Sequence, residues 1–222
     1  MKGKKYLLFD ADNTLYDFNA SEAAALRRMF SQYGIDISLL PIYHEENLKC
    51  WFLYEHGQMT LDTLETERFR RFLQRIGNDA DPEEAGNSYS GFLAEEGIML
   101  PGALELLGSL QGRYSLSIIT NGIARIQHER FRRTDTEKYF DRIFISQEIG
   151  YAKPDPRFFS YVLDELGADR SECLVIGDGL TSDIQGAENA GIDSIYVSWS
   201  GNTTEKAAFS VSSFSELARI LA

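Results

Sequence analysis

From residue 115 onward, short apolar runs alternate with helix-like stretches, and this alternation limits the fold more than any other feature. "SLSIIT", "RIFIS", "CLVIG" and "SIYVS" are short, apolar and bounded by turn formers, so each reads as a buried strand. Residues 5–10, "KYLLFD", add a fifth strand near the start. The stretches between the later strands have helical spacing over about 10–15 residues, the pattern of parallel βα units in an α/β fold. "DPRFFSYVLDELG" shows how plainly the helices are punctuated. Asp155 is a candidate N-cap, Pro156 takes the first helical position, and Gly167 stands just past the end. "SFSELARIL" closes the chain as an amphipathic helix.

Between the first and second strands the alternation lapses. Residues 18–97 show helical patterns with stop signals at Gly34, Gly57, Gly77 and Gly97, and Asp81-Pro82-Glu83-Glu84 is a clear helix start. The expected organisation is an α/β core from residues 1–17 and 98–222, with residues 18–97 inserted as an all-helical block. Pro101-Gly102 marks the return to the core. A block inserted directly after a strand's carboxyl end is placed as a lid over the ligand-binding edge of an open α/β sheet. It is expected to hinge near residues 16–18 and 97–101.

Charge narrows the partners. A net charge of −12 disfavours nucleic-acid polymers and anionic membranes, and no apolar run approaches the roughly 20 residues needed to span a bilayer. The basic start "MKGKK" is followed by an apolar run that Asp10 breaks too soon for a secretory signal. Cys50 and Cys173 are far apart in apolar surroundings and read as buried free thiols of a reducing cytoplasm. His44, His56 and His128 lack metal-ligand spacing.

Each polar singularity falls at the carboxyl end of an expected strand. Asp10 and Asp12 follow the first, Thr120-Asn121-Gly122 the second, and Asp178 and Asp183 in "GDGLTSD" the fourth. Lys153 lies in the loop after the third, held outside the next helix by Pro154 and Pro156. Taken singly, each has a plainer account. Asp12 and Asn13 suit an Asx turn, Thr120-Asn121-Gly122 a turn, Lys153 a solvated loop and Asp183 an early helix turn. Taken together, they gather four carboxylates and one ammonium on one sheet edge. Asp10 and Asp12, two apart on a strand, would share a side and repel. Such a cluster calls for a hard divalent cation with oxygen ligands, Mg²⁺ fitting best. A phosphate dianion would enter most readily if one aspartate kept its proton as a general acid, leaving the other as nucleophile.

In these features the sequence resembles the haloacid dehalogenase-like hydrolases over essentially its whole length. Asp10-Ala11-Asp12-Asn13-Thr14 matches the family's Asp-x-Asp-x-Thr motif, Thr120 the second motif, Lys153 the third, and Asp178 with Asp183 the acidic fourth. The helical insertion resembles the C1-type cap, and the core is expected to be Rossmann-like. The resemblance implies that Asp10 forms an aspartyl-phosphate and that Asp12 serves as acid, then base. It implies that Thr120 and the amides around Asn121 and Gly122 hold phosphoryl oxygens while Lys153 offsets charge. Mg²⁺ would bind Asp10, the Asp12 carbonyl, Asp178 and, directly or through water, Asp183. The family's dehalogenases lack an aspartate at the position of Asp12, so its presence favours phosphoester hydrolysis.

"LKCWFLYEHGQMTLDTLETERF" in the insertion bears on the substrate. Helical spacing brings Trp51 and Tyr54 onto one face, where they would stack on a nucleobase or fill the block's core; Phe52 is expected in that core. With "LPGALELL", "ITNG" and "EIGYAKPDPRFF", the stretch is similar to bacterial pyrimidine-type 5′-nucleotidases. The implied substrate is a small phosphorylated metabolite, a nucleoside monophosphate, handled by a monomer or small homo-oligomer. The alternatives are a sugar phosphatase or phosphomutase and, in another class, a non-catalytic phospho-ligand-binding protein.

Overall fold

The computed structural model describes residues 3–222. Six parallel strands run in the order β3-β2-β1-β4-β5-β6: β1 Tyr6–Phe9, β2 Ser115–Thr120, β3 Arg142–Ile145, β4 Cys173–Gly177, β5 Asp193–Val197 and β6 Phe209–Val211. The sixth, three residues long and led by an exposed Phe209, was not legible as a strand. The helices are α1 Phe18–Gln32, α2 Leu40–Glu55, α3 Leu61–Ile76, α4 Pro82–Glu95, α5 Ala103–Leu110, α6 Ala124–Arg133, α7 Ser146–Ile149, α8 Pro156–Leu166, α9 Gln185–Ala190 and α10 Phe214–Leu221. No helix among the described residues is long and apolar enough to cross a membrane.

Alternation along the strands explains why the sheet is buried on both faces. Leu7 and Phe9, Leu116 and Ile118, and Leu174 and Ile176 pack on one side with Leu107, Phe131 and Leu217. Leu8, Ile119 and Val175 pack on the other with Phe158, Phe159 and Val162 of α8. Asp155 caps α8 by accepting from the Arg157 amide, and Gly167 ends it in the left-handed conformation at φ 58°. Both expected thiols, Cys50 and Cys173, are buried and unpaired.

The chain divides into two compact units. One holds the chain up to Phe18, Ile98–Ala124 and Phe131–Ala222; the other holds Asn19–Gly97 with Arg125–Arg130. Within the first, the segment leaving the sheet and the segment returning to it are zipped together. Leu100 N–H donates to Leu15 O at 2.9 Å, Asp17 N–H donates to Ile98 O at 2.8 Å, and Tyr16 bridges Met99 antiparallel.

The second unit is helical, with Phe30 stacked on Phe72 at 5.3 Å and Tyr43, Phe69 and Tyr89 in mutual ring contact. Asp81 caps α4 through the amides of Glu83 and Glu84, and Gly77 ends α3 left-handed. Helix α4 stops at Glu95 on an extended Glu96, ahead of the expected stop at Gly97. Phe52 is not core; it is 57% exposed and stacks on His56 at 4.0 Å. The buried stripe of α2 runs through Tyr43, Asn47 and Cys50, and a residue two past Cys50 falls on the opposite face.

Helix α9 lies against α8 through Gly186, where an added Cβ would stand 2.4 Å from the Phe159 ring and 3.2 Å from Pro154 Cα. Alanine would gain about 1 kcal/mol of helix propensity. Overpacking a buried ring against backbone costs about 1–3 kcal/mol, occasionally more, and at this contact the larger cost wins. Gly186→Ala is therefore expected to lower the thermal midpoint by a few degrees, read by calorimetry.

Candidate active site

In the strand order β3-β2-β1-β4-β5-β6 the direction of winding reverses between β1 and β4. The crevice outside the carboxyl ends at such a reversal is where open α/β sheets bind ligands. Asp10 follows β1 directly, with its amide donating to Ile176 O of β4 at 2.9 Å, and Asp178 follows β4 directly. Asp183 arrives on the π-helical turn Leu180–Ile184, whose widened geometry recurs at functional sites. Ligand atoms of Asp10, Asp178 and Asp183 all lie within 4.8 Å of one another.

The centre of this edge is a buried cation. Lys153 is 2% exposed, and its Nζ donates to Asp10 Oδ1 at 2.8 Å, Asp183 Oδ1 at 2.6 Å and Ile119 O at 2.8 Å. Burial disfavours its charge, yet the carboxylates of Asp10 and Asp183 prevail and raise its pKa. Burial drives the Asp10 carboxyl well above the ordinary range; Lys153 opposes this, while Asp183, Asp178 and Asp12 add to it. Asp178 is pushed up to about 7, first by burial and then by the charge of Asp183. Three carboxylates share one ammonium, leaving an excess of negative charge that a hard divalent ion would offset. The oxygen-only donor set and its closeness fit magnesium.

Asp12 differs from the strand-side reading. Strand β1 ends at Phe9, so Asp12 lies in the turn beyond it, in a bridge with Tyr16, from where its charge still adds to the rise of Asp10. The partners of Asp10 come instead from other strand ends, together with Thr14, whose hydroxyl donates to Asp10 Oδ2 at 3.0 Å.

The second strand end is committed to internal bonds. Thr120 is buried, and its Oγ1 accepts from the Gly122 amide at 3.1 Å. The Asn121 side chain closes a two-bond ring with the Lys153 backbone, donating to Lys153 O at 2.8 Å and accepting from Lys153 N–H at 2.9 Å. That side chain is therefore a brace on the lysine loop, a role that its place in a turn did not reveal. Gly177 has a similar hidden duty. A Cβ there would stand 2.4 Å from Asp183 Oδ2, the same oxygen that accepts from Gly179 N–H at 2.9 Å.

Trp51 and Tyr54 belong to the helical unit, partly buried, with their rings T-shaped at 5.7 Å. The same unit holds a buried polar set that the sequence reading passed over. Arg68, 2% exposed, lies over the Tyr89 ring at 4.7 Å and donates to Asn47 at 3.3 Å, and Asn47 donates to Glu22 at 3.4 Å. The available signal was polar residues at helix positions that periodicity assigns to the buried face.

Comparison with known proteins agrees with this geometry. The family model "haloacid dehalogenase-like hydrolase" matches residues 4–191. The HAD-hydrolase YfnB of Bacillus subtilis is 36% identical over 200 residues, covering 89% of this chain and 85% of that protein. Its crystal structure, bound to magnesium and revealing interdomain movement, superposes with a TM-score of 0.93 at 33% identity over 99% of each chain. The pyrimidine 5′-nucleotidase YjjG of Escherichia coli is 36% identical, covering 84% of this chain and 83% of that one. The pyrimidine 5′-nucleotidase PynA of Streptococcus pneumoniae is 38% identical, covering 86% and 83%. The chain belongs to the haloacid dehalogenase-like hydrolases.

Proposed function

We propose that this enzyme is a magnesium-dependent phosphomonoester hydrolase that releases phosphate from pyrimidine nucleoside 5′-monophosphates. The observation that carries the chemistry is the Lys153 ammonium held between Asp10 and Asp183 beside Asp178. The nucleotide assignment is supported by the two pyrimidine 5′-nucleotidases among its relatives.

Phosphoryl transfer requires mainly positioning and charge stabilisation. Asp10 would attack phosphorus, forming an aspartyl-phosphate as the P–O bond to the nucleoside breaks. Asp12 would give its proton to the departing 5′-oxygen. It would then take a proton from a water molecule attacking the same phosphorus, which returns the Asp10 carboxylate and frees inorganic phosphate. Lys153, Thr120 and the backbone amides of Asn121 and Gly122 would hold the phosphoryl oxygens; for Gly122 this means exchanging its bond to Thr120 Oγ1. Asp10, Asp178, Asp183 and the Asp12 carbonyl would hold a magnesium ion, which supplies charge neutralisation when bound. Trp51 and Tyr54 are the proposed base-stacking residues of the helical unit.

The direct test is phosphate release from a panel of pyrimidine and purine nucleoside monophosphates and sugar phosphates, with and without magnesium. Turnover is expected to favour the pyrimidine nucleotides and to vanish in Asp10→Asn. Turnover confined to sugar phosphates would sink the nucleotide assignment, and binding without turnover would leave a phospho-ligand-binding protein. Metal and charge predict a stability signature as well. Magnesium at a hundredfold excess over its Kd should stabilise the wild type by about 2.7 kcal/mol, raising its thermal midpoint by several degrees. Asp10→Asn, which takes one carboxylate out of the cluster, should reduce the magnesium response. Gly177→Ala, which must displace the Asp183 carboxylate, should also blunt that response, visible in the same thermal scans.

A further inference from the structure

The turn that carries Asp12 is tied down by an element outside the strand ends described above. After β1, the amides of Leu15 and Tyr16 both donate to Ala11 O at 3.0 Å, and the Asn13 amide donates to Tyr16 O at 2.7 Å. Asn13 closes this turn at φ 59°, a left-handed conformation that asparagine tolerates better than most residues but does not prefer. Its carbonyl accepts from the indole N–H of Trp199 at 2.6 Å.

Trp199 comes from the loop after β5 and is itself braced. Its ring stands edge-on against Phe214 of α10 at 4.9 Å, and the preceding Ser198 amide donates to Val211 O of β6 at 2.8 Å. Ser198 Oγ accepts from the Asn202 amide at 3.0 Å, closing the loop on itself. The tether thus runs from the far edge of the sheet to a turn in which Asp12 precedes Asn13 and Thr14, the donor to Asp10, follows it.

We propose that Trp199 is a positioning residue for hydrolysis. Its N–H holds the Asn13 carbonyl, and through it fixes Asp12 and the Thr14 hydroxyl relative to Asp10. This rests on the reading of Asp10 and Asp12 as nucleophile and acid–base. Indole nitrogen donates one hydrogen bond and accepts none, so phenylalanine removes the tether while still offering an aromatic ring to Phe214. Displacing reacting groups by a fraction of an ångström acts on the transition state more than on substrate binding.

The test is Trp199→Phe in the full chain, assayed on the best substrate found for the wild type. The kcat is expected to fall severalfold, as reacting groups lose their alignment, with KM within about twofold and the thermal midpoint lowered by at most a few degrees, the worth of one hydrogen bond. A second readout needs no activity. The chain has two tryptophans, so ¹⁵N-labelled wild type gives two indole N–H signals, assigned by the signal missing in Trp51→Phe or in Trp199→Phe. The Trp199 signal should shift when magnesium and beryllium trifluoride are added together. A variant with wild-type kcat overturns the proposal, as does an unmoved Trp199 signal. Wild-type protein that turns over no phosphate ester overturns the parent reading and this one with it, whereas wild-type turnover with an unaffected variant overturns this one alone.

Discussion

One buried ammonium organises the sheet edge. Moving a charge out of water costs several kcal/mol even after relaxation, so Lys153 is tolerable only where its donors are fully met. Its partners come from separate strands: Ile119 lies in β2, Asp10 follows β1, and Asp183 lies on the turn beyond β4. Lys153 itself arrives from the loop after α7, with Asn121 clamping its backbone. The cluster exists only when four strands are in register. Removing any one contributor leaves a charge or a dipole stranded in the interior.

That arrangement also explains an imbalance. The sheet concentrates more negative charge than Lys153 can offset; burial first, and the neighbouring carboxylates after it, raise the pKa values of Asp10 and Asp178. A fold selected for stability alone would not retain three carboxylates within 4.8 Å of one another. The excess is intelligible as readiness for a divalent cation, whose charge offsets what Lys153 leaves unbalanced.

What the sequence made legible follows from periodicity and punctuation. Five strands announced themselves through short, mostly apolar runs, and Asp155, Gly167, Asp81 and Gly77 marked helix ends by local chemistry that tertiary structure does not override. Asp10 and Asp178 were readable because they follow strand ends directly, and Asp183 and Lys153 because they lie in the segments beyond strand ends on the same edge. Other features were not. Strand β6 is only three residues long, too short for any period to show. Phe52 is hydrophobic, but its angle around α2 sets it opposite Tyr43, Asn47 and Cys50, so residue type alone points to the wrong face. The duties of Asn121, Gly177 and Trp199 depend on neighbours distant in sequence, and no local pattern encodes such a neighbour.

The zipper between Leu15–Asp17 and Ile98–Leu100 has an evolutionary consequence. An intervening segment whose two ends are already fastened side by side imposes little further closure entropy on its host, and that entropy grows only logarithmically with length. The α/β core therefore tolerates an inserted cassette almost irrespective of its size. Changes of length between residues 18 and 97 need not shift the strand ends that carry Asp10 and Asp178.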